Sequence, residues 1–201
     1  MKKDKILMIG PFPGSINGMT LANDMLFNGL VDRKINVDKV DTSINVKNKN
    51  IEKQGEFNVF KAIFSIYSIL VGSYKIIRNK YNCVYITPAQ SYIGFLRYIP
   101  FIFFSKLKHI PCYIEFHGGY VGVMYENLNN KKKKRIKKYF NICSGIIVLG
   151  ESLKGMLKDI VSLDKVYVCE NGVEEKFILS EEEFNIKYNN DFNNLKILYL
   201  S

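Results

Sequence analysis

The chain has 201 residues, enough for one large domain or two small ones with a sizeable core. Its 47% apolar and 24% charged residues exclude a disordered class. The 29 Lys+Arg against 19 Asp+Glu leave a formal +10, which favours an anionic partner: nucleic acid, a phospholipid surface or a phosphorylated substrate.

Cys83, Cys112, Cys143 and Cys169 form no C-x-x-C pair, and two histidines complete the inventory, so no metal is expected. The cysteines sit in apolar, strand-like stretches and read as buried free thiols of a reducing compartment. The basic start is followed by only a short apolar run, Ile6 to Ile9, before Gly10 and Pro11, which is not a secretory signal. A cytoplasmic protein is expected. Phe57 to Ile77 is interrupted by Lys61 and Lys75, and Tyr92 to Leu107 is short and carries Arg97 and Pro100, so neither reads as a membrane span. Both are greasier than a helix that merely covers one face of a sheet.

In chain order, Lys5 to Ile9 reads as a buried strand closed by the loop Gly10-Pro-Phe-Pro-Gly14. Leu21, Ala22, Met25, Leu26, Gly29 and Leu30 then recur at helical spacing. Asn36 to Thr42 alternates as a second strand, and polar Ser43 to Gln54 is a surface loop. Phe60, Ile63, Phe64, Tyr67, Leu70, Val71 and Tyr74 mark one face of a long helix. The alternation continues with strands at Cys83–Thr87, Cys112–Phe116, Gly145–Leu149 and Lys165–Cys169. Between them lie helices at Ser91–Lys108, with a break at Pro100, around Ile136 to Cys143, and at Ser152–Asp159. Short apolar runs alternating with helices predict a doubly wound, Rossmann-like α/β domain: a parallel sheet with helices on both faces. Its expected extent is residues 1–178. Residues 179–194 read as a linker or surface segment, and 195–201 as the first strand of a second domain.

Four stretches offer chemistry. The loop Gly10 to Thr20 enters a helix at the carboxyl end of the first strand, where doubly wound sheets bind ligands, although it matches neither the P-loop nor the dinucleotide fingerprint. Glu115-Phe-His117-Gly118-Gly119 places an imidazole at a strand's carboxyl end, with Glu115 on the same strand face to orient it and two glycines clearing space. Against this stands the plain alternative of a histidine satisfied by nearby backbone. Lys131, Lys132, Lys133, Lys134, Arg135, Lys137 and Lys138 open an amphipathic helix; their aromatic neighbours fall on the apolar face, so an anionic lipid surface fits better than nucleic acid, and no nucleic acid is expected. Glu151 and the Asn171-Gly172 turn lie at the ends of two further strands.

Taken in order, these pieces resemble the N-terminal domain of family 4 retaining glycosyltransferases of the GT-B fold. The matching stretches are Ile6 to Gly14 with Gly18 to Ala22, the strand ending His117-Gly118, Val148 to Glu151, and Asn171-Gly172-Val173 with Phe177. Two departures stand out: Asn17 precedes Gly18 where the family usually has a second glycine, and Gly150 replaces the usual serine before Glu151. The resemblance implies sugar transfer from a nucleotide-diphosphate donor to a saccharide or lipid-linked acceptor, in polysaccharide or glycolipid synthesis, with no cofactor and no obligatory metal. It implies His117 beside the transferred sugar as the catalytic residue, Gly18 and Asn17 at the donor, and Gly118, Glu151, Asn171 and Gly172 at the acceptor side or cleft. It also implies that the donor nucleotide is held by a second domain, so that this chain alone is inactive. The inner face of the cell membrane is the surface the lysine run would meet. Two alternatives stay open: another GT-B enzyme such as a sugar-nucleotide epimerase, and a non-enzymatic membrane-binding module.

Overall fold

The computed structural model describes residues 4–14, 17–43, 59–172 and 178–190. The expected strand at 195–201, most of the loop at Ser43–Gln54, and Val173 and Phe177 lie outside them. Two compact units are present, Met1–Glu170 and Asn171–Ser201.

The first unit is an α/β domain with one six-stranded parallel sheet in the order β2-β1-β3-β4-β5-β6. Its strands are β1 Lys5–Gly10, β2 Asn36–Asp41, β3 Cys83–Ile86, β4 Cys112–Phe116, β5 Gly145–Val148 and β6 Val166–Val168. They are joined by α1 Gly18–Asp32, α2 Val59–Arg78, α3 Tyr92–Leu96, α4 Ile99–Leu107, α5 Tyr120–Glu126, α6 Asn130–Ile142 and α7 Glu151–Lys154. Crossovers between parallel strands are right-handed, so the reversal of direction after β2 sends α1 to one face and the later helices to the other.

Register fixes which side chains share a face. Leu7 pairs with Val84, Val84 with Cys112, and Ile114 with Ile146, all fully or nearly fully buried. That face packs on Ile76 of α2, Phe101 and Ile102 of α4, and Ile136 and Phe140 of α6. Phe140 stacks on Phe116 at 5.5 Å and meets Phe95 at 5.3 Å, which locks α6 and α3 onto β4. On the opposite face α1 lies against β1 and β2, while Tyr85, Tyr113, Ile147 and Tyr167 further along keep partial exposure.

Local differences from the sequence reading have physical causes. The break expected at Pro100 falls at Arg97–Tyr98 instead, and Pro100 sits in the first turn of α4, where its missing N–H costs nothing. Ser152–Asp159 is shorter than expected: α7 ends at Lys154 and tightens into a 3₁₀ turn at Gly155–Leu157. Helix α5 follows Gly118-Gly119 and has no counterpart in the sequence reading.

The second unit contains α8, Glu181–Asn190, within the stretch read as a linker or surface segment. Its start is a capping box: the Ser180 hydroxyl accepts from Glu183 N–H at 3.2 Å, and the Glu183 carboxylate accepts from Ser180 N–H at 2.9 Å. The Ser180 N–H and, at 2.8 Å, the Ser180 hydroxyl both donate to that carboxylate and hold it below its ordinary value.

Candidate functional site

In a doubly wound sheet the ligand crevice opens at the carboxyl ends of the strands, at the point where strand order reverses. Here that point lies between β1 and β3. Gly10 ends β1, and Thr87 follows β3, its N–H donating to Ile9 O at 3.0 Å. The two approach so closely that a Cβ on Gly10 would stand 1.9 Å from Thr87 Oγ1 and 2.9 Å from Asn23 Nδ2. Asn23 Nδ2 donates to Thr87 Oγ1 and to Pro11 O, both at 2.8 Å, while Asn23 Oδ1 is buried and has no hydrogen-bond partner among the described residues. The floor of the crevice is therefore a polar cluster from β1, α1 and β3.

Above it, α1 begins. Asn17 caps the helix: its Oδ1 accepts from Met19 N–H at 3.1 Å and Thr20 N–H at 3.0 Å, and Thr20 Oγ1 accepts from Asn17 N–H at 3.1 Å. The Asn17 side chain is thus engaged with its own helix. Gly18 is exposed, and among the described residues a Cβ there would meet nothing within 4 Å.

The second group stands at the end of β4. Glu115 and His117 are two residues apart, so the strand puts both on one face. Their side chains are 8% and 7% exposed, with His117 Nε2 3.0 Å from Glu115 Oε2. Tyr85 of β3, on the same face, donates its hydroxyl to the same carboxylate oxygen. A buried carboxylate needs partners, and this one has a phenol and an imidazole. The imidazole is less well served: among the described residues Nε2 meets only that carboxylate, and Nδ1 has no hydrogen-bond partner. Among the described residues no backbone group bonds this ring.

Gly118 follows with φ +158°, a conformation that side-chain-bearing residues avoid, and a Cβ there would stand 3.1 Å from Gln90 Nε2. Gln90 Oε1 accepts from Val121 N–H at 3.0 Å, which ties the loop after β3 to the first turn of α5. The rim thus carries Gln90 and His117 together.

Glu151 starts α7 with its side chain 76% exposed and pairs with Lys154 at 3.0 Å. Asn171 and Gly172 are exposed and belong to the second unit. The seven basic residues of the lysine run lie on α6. Asn23, Thr87, Tyr85 and Gln90 are functional candidates that the sequence reading lacked; Asn23 carried one signal, as a polar residue among the apolar positions of α1. Among the described residues, no three His, Cys, Asp or Glu side chains gather as a metal-ligand set.

No protein-family model matches the chain, and no curated protein matches it in sequence.

Proposed function

We propose that this chain is the acceptor-side half of a retaining glycosyltransferase, moving a sugar from a nucleotide-diphosphate donor to a hydroxyl of a saccharide or lipid-linked acceptor. One observation carries the reading: a buried imidazole stands at a strand's carboxyl end with Nε2 on Glu115, itself held by Tyr85, and, among the described residues, no hydrogen-bond partner for Nδ1. Leaving a buried polar group unmatched costs about 1–3 kcal/mol, a cost that a ligand hydroxyl would remove. A sugar offers such hydroxyls in number. The order of motifs along the chain supports the same reading.

In this proposal His117 positions the transferred sugar by hydrogen bonding, and Glu115, itself held by Tyr85, keeps the ring in place. Gly18 faces the donor, and the donor's nucleotide is held mainly by a second domain. The test is His117→Ala in the full-length enzyme, assayed for transfer from nucleotide sugars. Turnover should fall by ~10²-fold, the scale of a lost positioned polar group, with the circular dichroism spectrum and melting temperature kept. Unchanged turnover would refute the reading. The 201-residue chain alone should neither transfer nor hydrolyse a nucleotide sugar and should bind UDP or GDP only weakly; micromolar binding in calorimetry would contradict the division of labour.

A further inference from the structure

Helix α2 carries apolar side chains on two faces. Toward the domain it turns Ile69 and Ile76, which pack on the core, together with Ser65, Ser68, Gly72 and Ser73. Ser68 Oγ donates to Phe64 O at 3.0 Å, Ser65 Oγ accepts from Arg97 at 3.2 Å, and Gly72 allows the Phe101 ring of α4 to close on the backbone. Toward the outside it turns Ile63, Ile66, Tyr67, Leu70, Tyr74 and Ile77, of which Tyr67, Leu70 and Tyr74 are 62–64% exposed. From Ile63 to Ile77 this apolar stripe runs about 20 Å along the helix. Isolated exposed apolar residues are ordinary; a contiguous stripe at helical period marks a contact surface.

The stripe continues across the layer. α4 packs against α2 on one side and α6 on the other, and it adds Phe103 and Leu107, 51% and 61% exposed. α6 adds the lysine run. Among the described residues none of its seven basic side chains has a carboxylate within ion-pair reach; Arg135 donates to the Tyr92 hydroxyl at 3.1 Å, and Lys132 lies over the Tyr92 ring. The chain carries no Asp or Glu anywhere from Phe57 to Ile114, nor from Asn127 to Gly150. The layer α2–α4–α6 therefore bears apolar and cationic side chains and no acid at all.

We infer that this layer docks on an anionic membrane leaflet, with the α2 stripe in the headgroup–acyl boundary and the α6 lysines on the headgroups. Charge complementarity selects the occupant. A second copy would bring an equally cationic face and be repelled, and a nucleic acid would answer the lysines but leave the aliphatic stripe in water. A leaflet rich in acidic lipid answers both. Tyr67 and Tyr74 suit an interface, with apolar rings and polar tips. Among the described residues no helix is long and apolar enough to cross a membrane, so the layer lies on the leaflet and does not span it.

The chain contains no tryptophan, so a single introduced one reports without background. Leu70→Trp places it on the stripe; Tyr167→Trp places it at an exposed site on the other face of the sheet. Each is mixed with vesicles of equimolar phosphatidylglycerol and phosphatidylcholine, with and without brominated acyl chains, and with vesicles of phosphatidylcholine alone; circular dichroism confirms the fold of each variant. The Leu70→Trp emission should shift to the blue and be quenched by bromine on the acidic vesicles, while Tyr167→Trp should keep its spectrum. Adding Lys132→Glu, Lys133→Glu and Lys134→Glu should weaken vesicle affinity by at least about tenfold. Absence of binding to acidic vesicles overturns the inference, and so does binding that leaves the Leu70→Trp reporter in water. A blue-shifted Leu70→Trp without vesicles, at a dimer mass by light scattering, also overturns it and assigns the stripe to a second copy.

Discussion

Gly10→Ala tests whether the crevice floor is as rigid as its contacts imply. The added methyl would stand 1.9 Å from Thr87 Oγ1, against the 3.4 Å at which ordinary contact begins. The backbone cannot yield easily, because β1 is central: Thr42 N–H donates to Gly10 O at 2.9 Å on one side and Thr87 N–H to Ile9 O at 3.0 Å on the other. Thr87 must therefore rotate, and its hydroxyl is the acceptor for Asn23. Overpacking a core site costs about 1–3 kcal/mol, and the lost hydrogen bond adds roughly 1 kcal/mol. The sum, about 2–4 kcal/mol, corresponds to a fall in melting temperature of roughly 5–15 °C for a domain of this size.

The clash and the hydrogen bond share one atom, so the effects should not add. Thr87→Ala alone removes the hydrogen bond, and the double variant Gly10→Ala with Thr87→Ala removes the atom that the new methyl would strike. Urea denaturation of the four proteins gives the cycle, and the double variant should lose at least about 1 kcal/mol less than the two single variants combined. Strict additivity would mean that Gly10 and Thr87 do not press on each other and that the polar floor is not tightly packed.

Three further outcomes follow from the remaining geometry. Ellman's reagent should label one thiol quickly in the native protein and four after denaturation, since Cys169 is exposed while Cys112 and Cys143 are buried; burial pushes the Cys83 thiol up to about 12, and contact with Cys143 together with burial raises Cys112. Tyr85→Phe should destabilise the fold by about 1–3 kcal/mol by stripping a donor from the buried Glu115, and an unchanged urea midpoint would discount that bond. Asp38 is held below its ordinary value, because burial, which works the other way, is outweighed by hydrogen bonds from Lys5 and Tyr81 and by the charges of Lys5 and Lys75. Asp38→Asn should therefore cost stability at neutral pH, by under about 1 kcal/mol for so exposed a pair; the difference should fade as pH falls below the ordinary carboxylate range and vanish once Asp38 is protonated in the fold.

What the sequence reveals depends on the range over which each feature is encoded. Five of the six strands are legible as short apolar runs between turn residues and β2 as an alternating one, and the observed boundaries differ from the expected ones by a residue or two. Glu115 and His117 are legible as a pair because a strand returns to the same face at the second residue. α5 is not, since seven residues opening on glycines barely complete two helical turns. α8 was available in the sequence, where Ser180 and Glu183 stand at capping-box spacing inside a polar stretch. The Asn23–Thr87 contact joins residues 64 apart and has no local trace. Gly10 can be read as a turn residue, but its tightest constraint, the neighbouring hydroxyl, exists only once β1 and β3 are paired.

Helix α2 shows a different limit. Its periodicity groups Phe60, Ile63, Phe64, Tyr67, Leu70, Val71 and Tyr74 on one face; in the structure Ile63, Tyr67, Leu70 and Tyr74 are exposed together, Phe64 and Val71 are half-buried, and the Phe60 side chain lies outside what the structure describes. Period alone does not say which way the face points. The usual expectation, apolar side inward, holds for Ile69 and Ile76, which pack on the core, while Ser68 and Ser65 beside them answer Asp41 O and Arg97. Gly72 on the same side admits the Phe101 ring. A second apolar face, Ile63 to Ile77, is left outside. The anionic leaflet proposed for it is the cover that the composition of the layer favours, because residues 57–114, which include α2 and α4, carry no Asp or Glu to oppose it.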